Sequence, residues 1–488
     1  MSKVPMTETL CSLLEPNLHR KKPIFTRPLT LPKEGEKVYN LTEKQIRKIK
    51  SRRGQVVDLH PGMGGIAPDK LRDMMGDGAL LTSLDFMLTQ SCNFECTWCF
   101  AESSPLKQTF LPFKNLVELT KDSSDIGVNL FVLTGGEPLI YRDPALGRST
   151  KRGDHFFQVV EMIRDTYRKK GNDAKILTFD DVALITPEIA QRFADNKVGL
   201  CTKGDTLNPE LQDYKVNQQG AFEKIQKGYE NLISVGYGSA PELRIVVNSV
   251  LDHTTFDGML DLHMWVMERG FDHSIVPVHY CGNAGDDDQE AGIHSPHVKV
   301  LYDLLTRIDA KYFGVEWEAF SAFTYDKTCN RNISGLHIRA NGDITACSES
   351  PGRDETTNYT FGNILTDENF SLKVLVNSER LANYRIEFAQ GYGDYVCAPQ
   401  ICDLNAEDLC RGGCAVRSAY SKIDTDSGLI IQNENPSNYS KKREDPLCPA
   451  WTILAERQGI LKEGLLEEIH HRLLEKNTRV NIIDFPFE

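Results

Sequence analysis

From residue 82 onward the hydrophobic pattern of the chain changes character. Short apolar runs rich in Leu, Val, Ile and Phe alternate with segments whose apolar residues recur at three- and four-residue spacing. That is the pattern of strands followed by amphipathic helices, and so of a parallel sheet. The runs predict strands near residues 83–89 (SLDFMLT), 128–134 (VNLFVLT), 175–179 (KILTF), 198–203 (VGLCTK), 243–249 (LRIVVNS) and 274–279 (SIVPVH). Six such units predict an open, partial α/β barrel rather than a full eight-stranded one.

Residues 1–80 are polar and rich in Pro, Gly and Lys, an extension with helices expected near 42–53 and 68–75. After an expected helix at 298–312 the pattern breaks into short strands and loops until about 450. An amphipathic helix then runs through ILKEGLLEEIHHRLLEKN. The expected organisation is an extension (1–80), a barrel (81–312), a small α+β domain with short hairpins (313–455), and a C-terminal helix and tail (456–488).

In parallel α/β folds ligands bind at the carboxyl ends of the strands, and the chemistry-bearing motifs fall there. SCNFECTWCFAESS, with Cys92, Cys96 and Cys99, follows the first strand, and TGGEP (Thr134 to Pro138) follows the second. Asp180 and Asp181 follow the third, Lys203 ends the fourth, Asn248 ends the fifth, and HYCGNAG follows the sixth.

Composition narrows what these loops hold. A net charge of −13 and a pI of about 5.5 argue against a nucleic-acid partner, which calls for a basic field. The one basic run, EKQIRKIKSRR (43–53), reads as a solvated helix face. No apolar run approaches the roughly 20 residues of a membrane span, and the first residues lack a signal-peptide pattern, so the cytoplasm is the expected compartment.

Thirteen cysteines in such a chain read as metal ligands rather than disulfides. They form two regions, with three at 92–99 and seven between 329 and 448; Cys11, Cys201 and Cys281 are left over. A structural zinc site closes with four protein ligands, and the next candidate after Cys99, His155, falls in a helix-like segment. Three thiolates instead suit a 4Fe-4S cluster with one iron left open to a ligand.

Cys-x3-Cys-x2-Cys after the first barrel strand, followed by Gly135-Gly136-Glu137-Pro138, resembles the radical S-adenosylmethionine (SAM) superfamily. The resemblance implies a partial (β/α)6 radical SAM barrel in which Cys92, Cys96 and Cys99 ligate a 4Fe-4S cluster and SAM completes the fourth iron. It also implies that Trp98 meets the adenine through its backbone, and that Gly135, Gly136, Glu137 and Pro138 bind the SAM amino group. A carboxylate accepts from an ammonium, and glycines let backbone approach a ligand. The chain departs from the family where TFDDVAL replaces its frequent Thr-Asn-Gly and where Lys203 replaces Ser or Asp. Lys203 pairs either with the SAM carboxylate or with an acidic substrate, or is a surface lysine; Asn248 is a weaker candidate for the same site. Asp180 and Asp181 read first as caps.

The second region, Cys329-x12-Gly342-x4-Cys347, then Cys397-x4-Cys402-x7-Cys410-x3-Cys414, then Cys448, resembles the SPASM auxiliary-cluster domain. Two of its gaps are longer than that family's usual two and five residues. Asn341-Gly342 predicts a hairpin turn. By the family's crossed ligation, Cys329, Cys347 and Cys414 hold one auxiliary 4Fe-4S cluster, and Cys397, Cys402, Cys410 and Cys448 the other. The first then has an open site, a non-cysteine ligand, or Cys281, which is otherwise a buried or radical-quenching thiol and a weak catalytic candidate. The same resemblance makes Glu349 a candidate base in place of an Asp found in one subgroup, against a plain surface carboxylate.

The implied reaction is reductive cleavage of SAM to a 5'-deoxyadenosyl radical and abstraction of a hydrogen from a substrate carbon, fed by a flavodoxin- or ferredoxin-type reductant. Peptide modification by crosslinking, oxidation, epimerisation or excision is the leading reading, with a separate peptide-recognition protein as a further partner. The alternatives are oxidation or rearrangement of a small metabolite such as an aminocyclitol or sugar, and a non-catalytic iron-sulfur electron carrier.

Overall fold

The computed structural model describes residues 4–10, 22–30, 36–46, 81–149, 151–279, 281–285, 293–317, 319, 334–350, 360–390, 402–403, 410, 414–432, 445–480 and 485–487. The helix expected at 68–75, most of that at 42–53, and the ligand candidates Cys329 and Cys397 lie outside these residues.

Six parallel strands, β1 (Ser83–Met87), β2 (Leu130–Thr134), β3 (Lys175–Asp180), β4 (Gly199–Lys203), β5 (Ile245–Leu251) and β6 (Asp272–Pro277), lie in sequential order. Each overlaps the apolar run that the sequence marks, with β5 set two residues later and β6 two residues earlier than expected, and β1 to β5 bury residues on both faces of the sheet. Leu130, Val132, Leu177 and Cys201 form a small inner cluster with Phe179 packed against it, while a far larger outer cluster fills the space beneath the helices.

The register β1 to β4 places Met87 beside Thr134, Asp85 beside Val132, and Phe179 beside Cys201. The first helix, Phe113–Asp125, and the second, Asp154–Arg168, return the chain from β1 and from β2 across that outer face. Thr186 caps the helix Pro187–Asp195 and Asn208 caps Pro209–Lys215, each accepting from a backbone N–H three residues on, with Pro at the first helical position.

The sheet does not end at β1. β7 (Gly335–Ile338) adds to it in parallel, and β8 (Asp343–Thr345) and β9 (Thr360–Asn363) continue antiparallel, making nine strands. The expected hairpin at Asn341-Gly342 is present between β7 and β8, with Gly342 at φ +88°, which only glycine adopts without strain. The first hairpin of the second cysteine region is thus built onto the barrel sheet. Near the C-terminus, helices Ala450–Arg457 and Leu465–Lys476 pack on the helix Ser295–Ile308.

Candidate active site at the carboxyl ends of the strands

The cysteine loop leaves β1 and is held by short bridges, Thr89 to Phe110 and Ser91 to Ser104. Its far side rests on the end of the helix Pro209–Lys215: Glu95 N donates to Val216 O at 3.3 Å, and Thr97 N to Lys215 O at 3.0 Å. Cys92 is buried, and Cys96 and Cys99 are half-buried. Backbone N–H groups already point at the sulfurs, Phe94 N at Cys92 Sγ and Ser103 N at Cys99 Sγ, both at 3.4 Å. Burial pushes the Cys92 thiol well up, with Asp181 adding to it, and does the same to Cys96, with Cys99 adding. Such a loop holds its sulfurs as thiolates when a cation joins them, so the donor set fits a metal cluster.

The glycine loop after β2 packs directly on the cysteine loop. Gly136 N donates to Thr89 O at 2.7 Å and Glu137 N to Ser91 O at 2.8 Å. A Cβ on Gly136 would stand 2.1 Å from Ser91 O and 2.9 Å from Cys92 Cβ, so no other residue fits this approach.

Glu137 is fully buried; its carboxylate accepts from Leu139 N at 2.8 Å and from Asp181 N at 3.1 Å. Asp180 and Asp181 cap their own turn through Val182 N and Ala183 N. Carboxylate oxygens of Glu137, Asp180 and Asp181 lie within 4.8 Å of one another. Burial, then the two aspartates, push the Glu137 carboxyl well up; burial takes Asp180 to about 6, and burial with Asp180 takes Asp181 to about 8. One oxygen each of Asp180 and Asp181 is buried without a hydrogen-bond partner. This trio is short of positive charge, and an ammonium group supplies it.

Lys203 Nζ lies 4.1 Å above the Trp98 ring, whose indole N–H is buried without a partner. Lys203 is therefore not a free surface lysine. Asn248 stands beside Lys203 in the β4–β5 register. From the loop after β6, Asn283 donates through Nδ2 to Cys96 O at 2.9 Å and through its backbone N to Cys99 O at 3.0 Å. His155 lies in the helix Asp154–Arg168 and accepts from Asp143 N, away from the thiols.

The comparisons with known proteins agree with this geometry. Residues 86–265 match the radical SAM superfamily. The chain carries a radical SAM domain. Domains of that family imply a 4Fe-4S cluster and SAM. Among curated proteins, the chain is similar to GTP 3',8-cyclase of Sulfurovum sp. (strain NBC37-1), 27% identical over 242 residues that cover 49% of this chain and 64% of the relative. It therefore spans under two thirds of that relative's length.

Among solved structures it is similar to Streptococcus suis SuiB bound to precursor peptide SuiA, at 14% identity and TM-score 0.52, covering 77% of both chains. It is also similar to anSMEcpe with bound AdoMet and Cp18Cys peptide, at 14% identity and TM-score 0.52, covering 80% of this chain and 99% of that one. At such identities these likenesses concern the fold.

Beyond the radical SAM domain, the second cysteine region falls into two groups. Cys402, Cys410 and Cys448 lie within electrostatic reach of one another and of Tyr39, whose hydroxyl is 3.4 Å from Cys448 Sγ. Asp403 fixes that stretch of the extension by accepting from Tyr39 N and Leu41 N. Cys347 and Cys414 lie instead with Cys281, Glu349 and Arg339. Asp445 links the two groups: it accepts from Cys414 N at 3.1 Å, pairs with buried Arg417, and sits three residues before Cys448. Glu349 is ion-paired with His279.

Neither His279, Tyr39 nor Asp205, two residues after Lys203, stands out in the sequence as a site residue. Asp205 is buried, and it lies within electrostatic reach of Lys203 and Cys96. Alternation carried one step past β4 from Lys203 is the signal that would have found it.

Among the described residues no helix is long and apolar enough to cross a membrane.

Proposed function

We propose that this chain is a radical SAM enzyme that removes hydrogen from a carbon of a peptide, with two auxiliary iron-sulfur centres in its second cysteine region. The observation behind the peptide reading is the extent of the structural likeness. SuiB with its precursor peptide and anSMEcpe with a bound peptide align over 77% and 80% of this chain, reaching well beyond the radical SAM match at residues 86–265.

In this reading Cys92, Cys96 and Cys99 hold the cluster, which when bound supplies the one-electron reduction on which SAM cleavage depends. The buried carboxylates beside the glycine loop receive the SAM ammonium, and their unpartnered oxygens are the reason to seat it there. Lys203 neutralises the SAM carboxylate, and Trp98 beneath it limits where that lysine can go. Asn248, its neighbour in the sheet, faces the same ligand. Asn283 ties the β6 loop over the cysteines and excludes water from that side. Residues 81–312 act as the barrel and 313–455 as the auxiliary domain, with electrons delivered by a flavodoxin- or ferredoxin-type protein.

Anaerobic incubation of the reconstituted protein with SAM, reductant and a panel of short candidate peptides tests the peptide assignment. A modified peptide appearing with an equivalent of 5'-deoxyadenosine supports it. A small-molecule substrate is the second reading, favoured by the name of the curated relative. GTP offered in the same assay, consumed while every peptide is left intact, replaces the first reading with the second.

A further inference from the structure

The chain is acidic overall, yet the surface beside the first cysteine loop is not. Ser103 N donates to Cys99 Sγ at 3.4 Å, and Ser104 O accepts from Cys92 N at 3.2 Å, so residues 103–104 lie against two of the three thiols. A turn closed by Lys107 N on Ser104 O follows at once, and at its tip Leu106 is 85% exposed. Phe100, next to Cys99, is 37% exposed on the same loop. A lone exposed leucine is ordinary, but here apolar side chains stand in water within a few residues of the thiols.

Cations border that tip. Lys107 ends the turn, and Lys114 is exposed in the first turn of the helix Phe113–Asp125, into which the loop runs. Arg142 comes to the same edge from the loop after β2. Tyr141 Oη donates to Leu111 O and the Asp143 carboxylate accepts from Phe113 N, so the residues flanking Arg142 turn inward and Arg142, exposed between them on extended backbone, turns out. Arg148 is exposed farther along that loop. None of these four side chains has an ion-pair or hydrogen-bond partner among the described residues. Their neighbours differ: Lys151 pairs with Glu188 and Arg152 lies within electrostatic reach of Asp181. The exposed carboxylate in these two stretches is Glu102.

Unpaired cations around an apolar tip, on a chain of net charge −13, make a local field opposite in sign to the whole. An acidic partner is drawn to this face and repelled by the rest, which orients the encounter. Electron-transfer encounters use small interfaces, roughly under 1,200 Å² in total, so a loop tip with a charged border suffices.

We propose that the turn at Leu106, bordered by Lys107, Lys114, Arg142 and Arg148, is the docking surface for an acidic one-electron carrier protein that reduces the cluster at Cys92, Cys96 and Cys99. The proposal rests on the reading that these thiols hold that cluster. One electron leaves the carrier and one enters the cluster past residues 103–104, and no atom is exchanged. The cations set how fast the complex forms, and Leu106 sets how long it lasts.

The test uses the full reconstituted chain with reduced flavodoxin, an acidic flavin protein, as the probe, and dithionite as a reductant that needs no docking. Flavodoxin binding to the immobilised chain by biolayer interferometry is one readout, and 5'-deoxyadenosine formed from SAM with each reductant is the other. Lys107→Glu/Arg142→Glu should slow flavodoxin association by about tenfold or more and raise the flavodoxin needed for half-maximal rate by a similar factor, with the dithionite-driven rate unchanged. Wild-type association should fall steeply with added salt, and that of the variant should not. Leu106→Ser should speed dissociation. Since charge reversal can unsettle the loop, Lys107→Gln/Arg142→Gln is measured beside it, with a smaller effect in the same direction expected. Association and flavodoxin-driven rate untouched in both charge variants, or lost equally with dithionite, overturns the docking surface and leaves the radical reading standing. A wild-type chain that dithionite drives and flavodoxin neither binds nor drives overturns it as well. A wild-type chain with iron at the first site that forms no nucleoside with dithionite strikes the radical reading itself, and the binding arm alone then upholds or overturns the surface.

Discussion

Lys203 Nζ stands 4.1 Å over the Trp98 ring, tying the end of β4 to the residue that precedes the third cysteine of the cluster loop. A cation over an indole face contributes about 0.5 to 2 kcal/mol, and here the ring also aims the charge. Lys203→Met, which removes the cation proposed to meet the SAM carboxylate, is expected to weaken SAM binding by roughly ten- to a hundredfold, the equivalent of about 1.5 to 3 kcal/mol for a hydrogen bond to a charged group. Lys203→Arg should retain most of the affinity, since guanidinium keeps the charge and stacks on aromatic faces. Anaerobic calorimetric titration of the reconstituted protein with SAM measures both.

Gly136 is the contact between the two ligand loops. Ser91 O, 2.1 Å from where a Cβ would lie, is backbone and cannot swing aside. Gly136→Ala should therefore cost about 1 to 3 kcal/mol, the usual range for overpacking. It should also lower the iron held by the first site, because Cys92 must move with its loop. Thermal denaturation and an iron assay on a variant lacking the auxiliary ligands check the two effects separately.

Lys215 and Asp252 form a buried ion pair under the helix end on which the cysteine loop rests. Burial alone would push the Asp252 carboxyl up, yet the Lys215 ammonium and its hydrogen bond bring it down to about 2. A carboxyl depressed in the folded state stabilises above its unfolded value near 3.9, and that contribution is lost as pH falls toward the folded value. The pair should account for on the order of 2 kcal/mol of stability lost between about pH 4 and about pH 2. Lys215→Met should destabilise by about 3 to 5 kcal/mol at neutral pH by leaving a buried charge unpaired. Denaturant unfolding of both proteins across that acid range reads the difference in slope.

Tyr39 reaches from the extension to Cys448 Sγ. A hydroxyl donating to a cluster sulfur raises the reduction potential, so Tyr39→Phe should lower the midpoint of the centre held by Cys402, Cys410 and Cys448 while leaving its iron in place. A redox titration followed by electron paramagnetic resonance shows whether the shift is confined to one centre.

What the sequence disclosed follows from what each signal measures. The six strands were legible because strands buried on both faces read as unbroken apolar runs, and the cysteine and glycine loops because spacing alone defines them. β7 joining β1 was not, since Gly335–Ile338 is four residues long and hydropathy reports burial rather than the partner. The pairing of Glu349 with His279 was hidden in another way: His279 opens the HYCGNAG loop and Glu349 lies two residues after Cys347, but nothing in either stretch says that the loop after β6 meets the turn after β8. Tyr39 lies in a polar stretch whose role is set by a distant aspartate, Asp403. Glu137, Asp180 and Asp181 were visible as residues, but their shared burial, which decides their chemistry, was not.

The central claim is that the three thiolates after β1 initiate radical chemistry on SAM. Anaerobic incubation of the reconstituted protein with SAM and dithionite, with mass spectrometry for 5'-deoxyadenosine, tests it against Cys92→Ala/Cys96→Ala/Cys99→Ala. The account predicts the nucleoside from the intact chain and none above background from the variant. A chain loaded with iron at the first site that never cleaves SAM would contradict it, and would leave an electron carrier in its place.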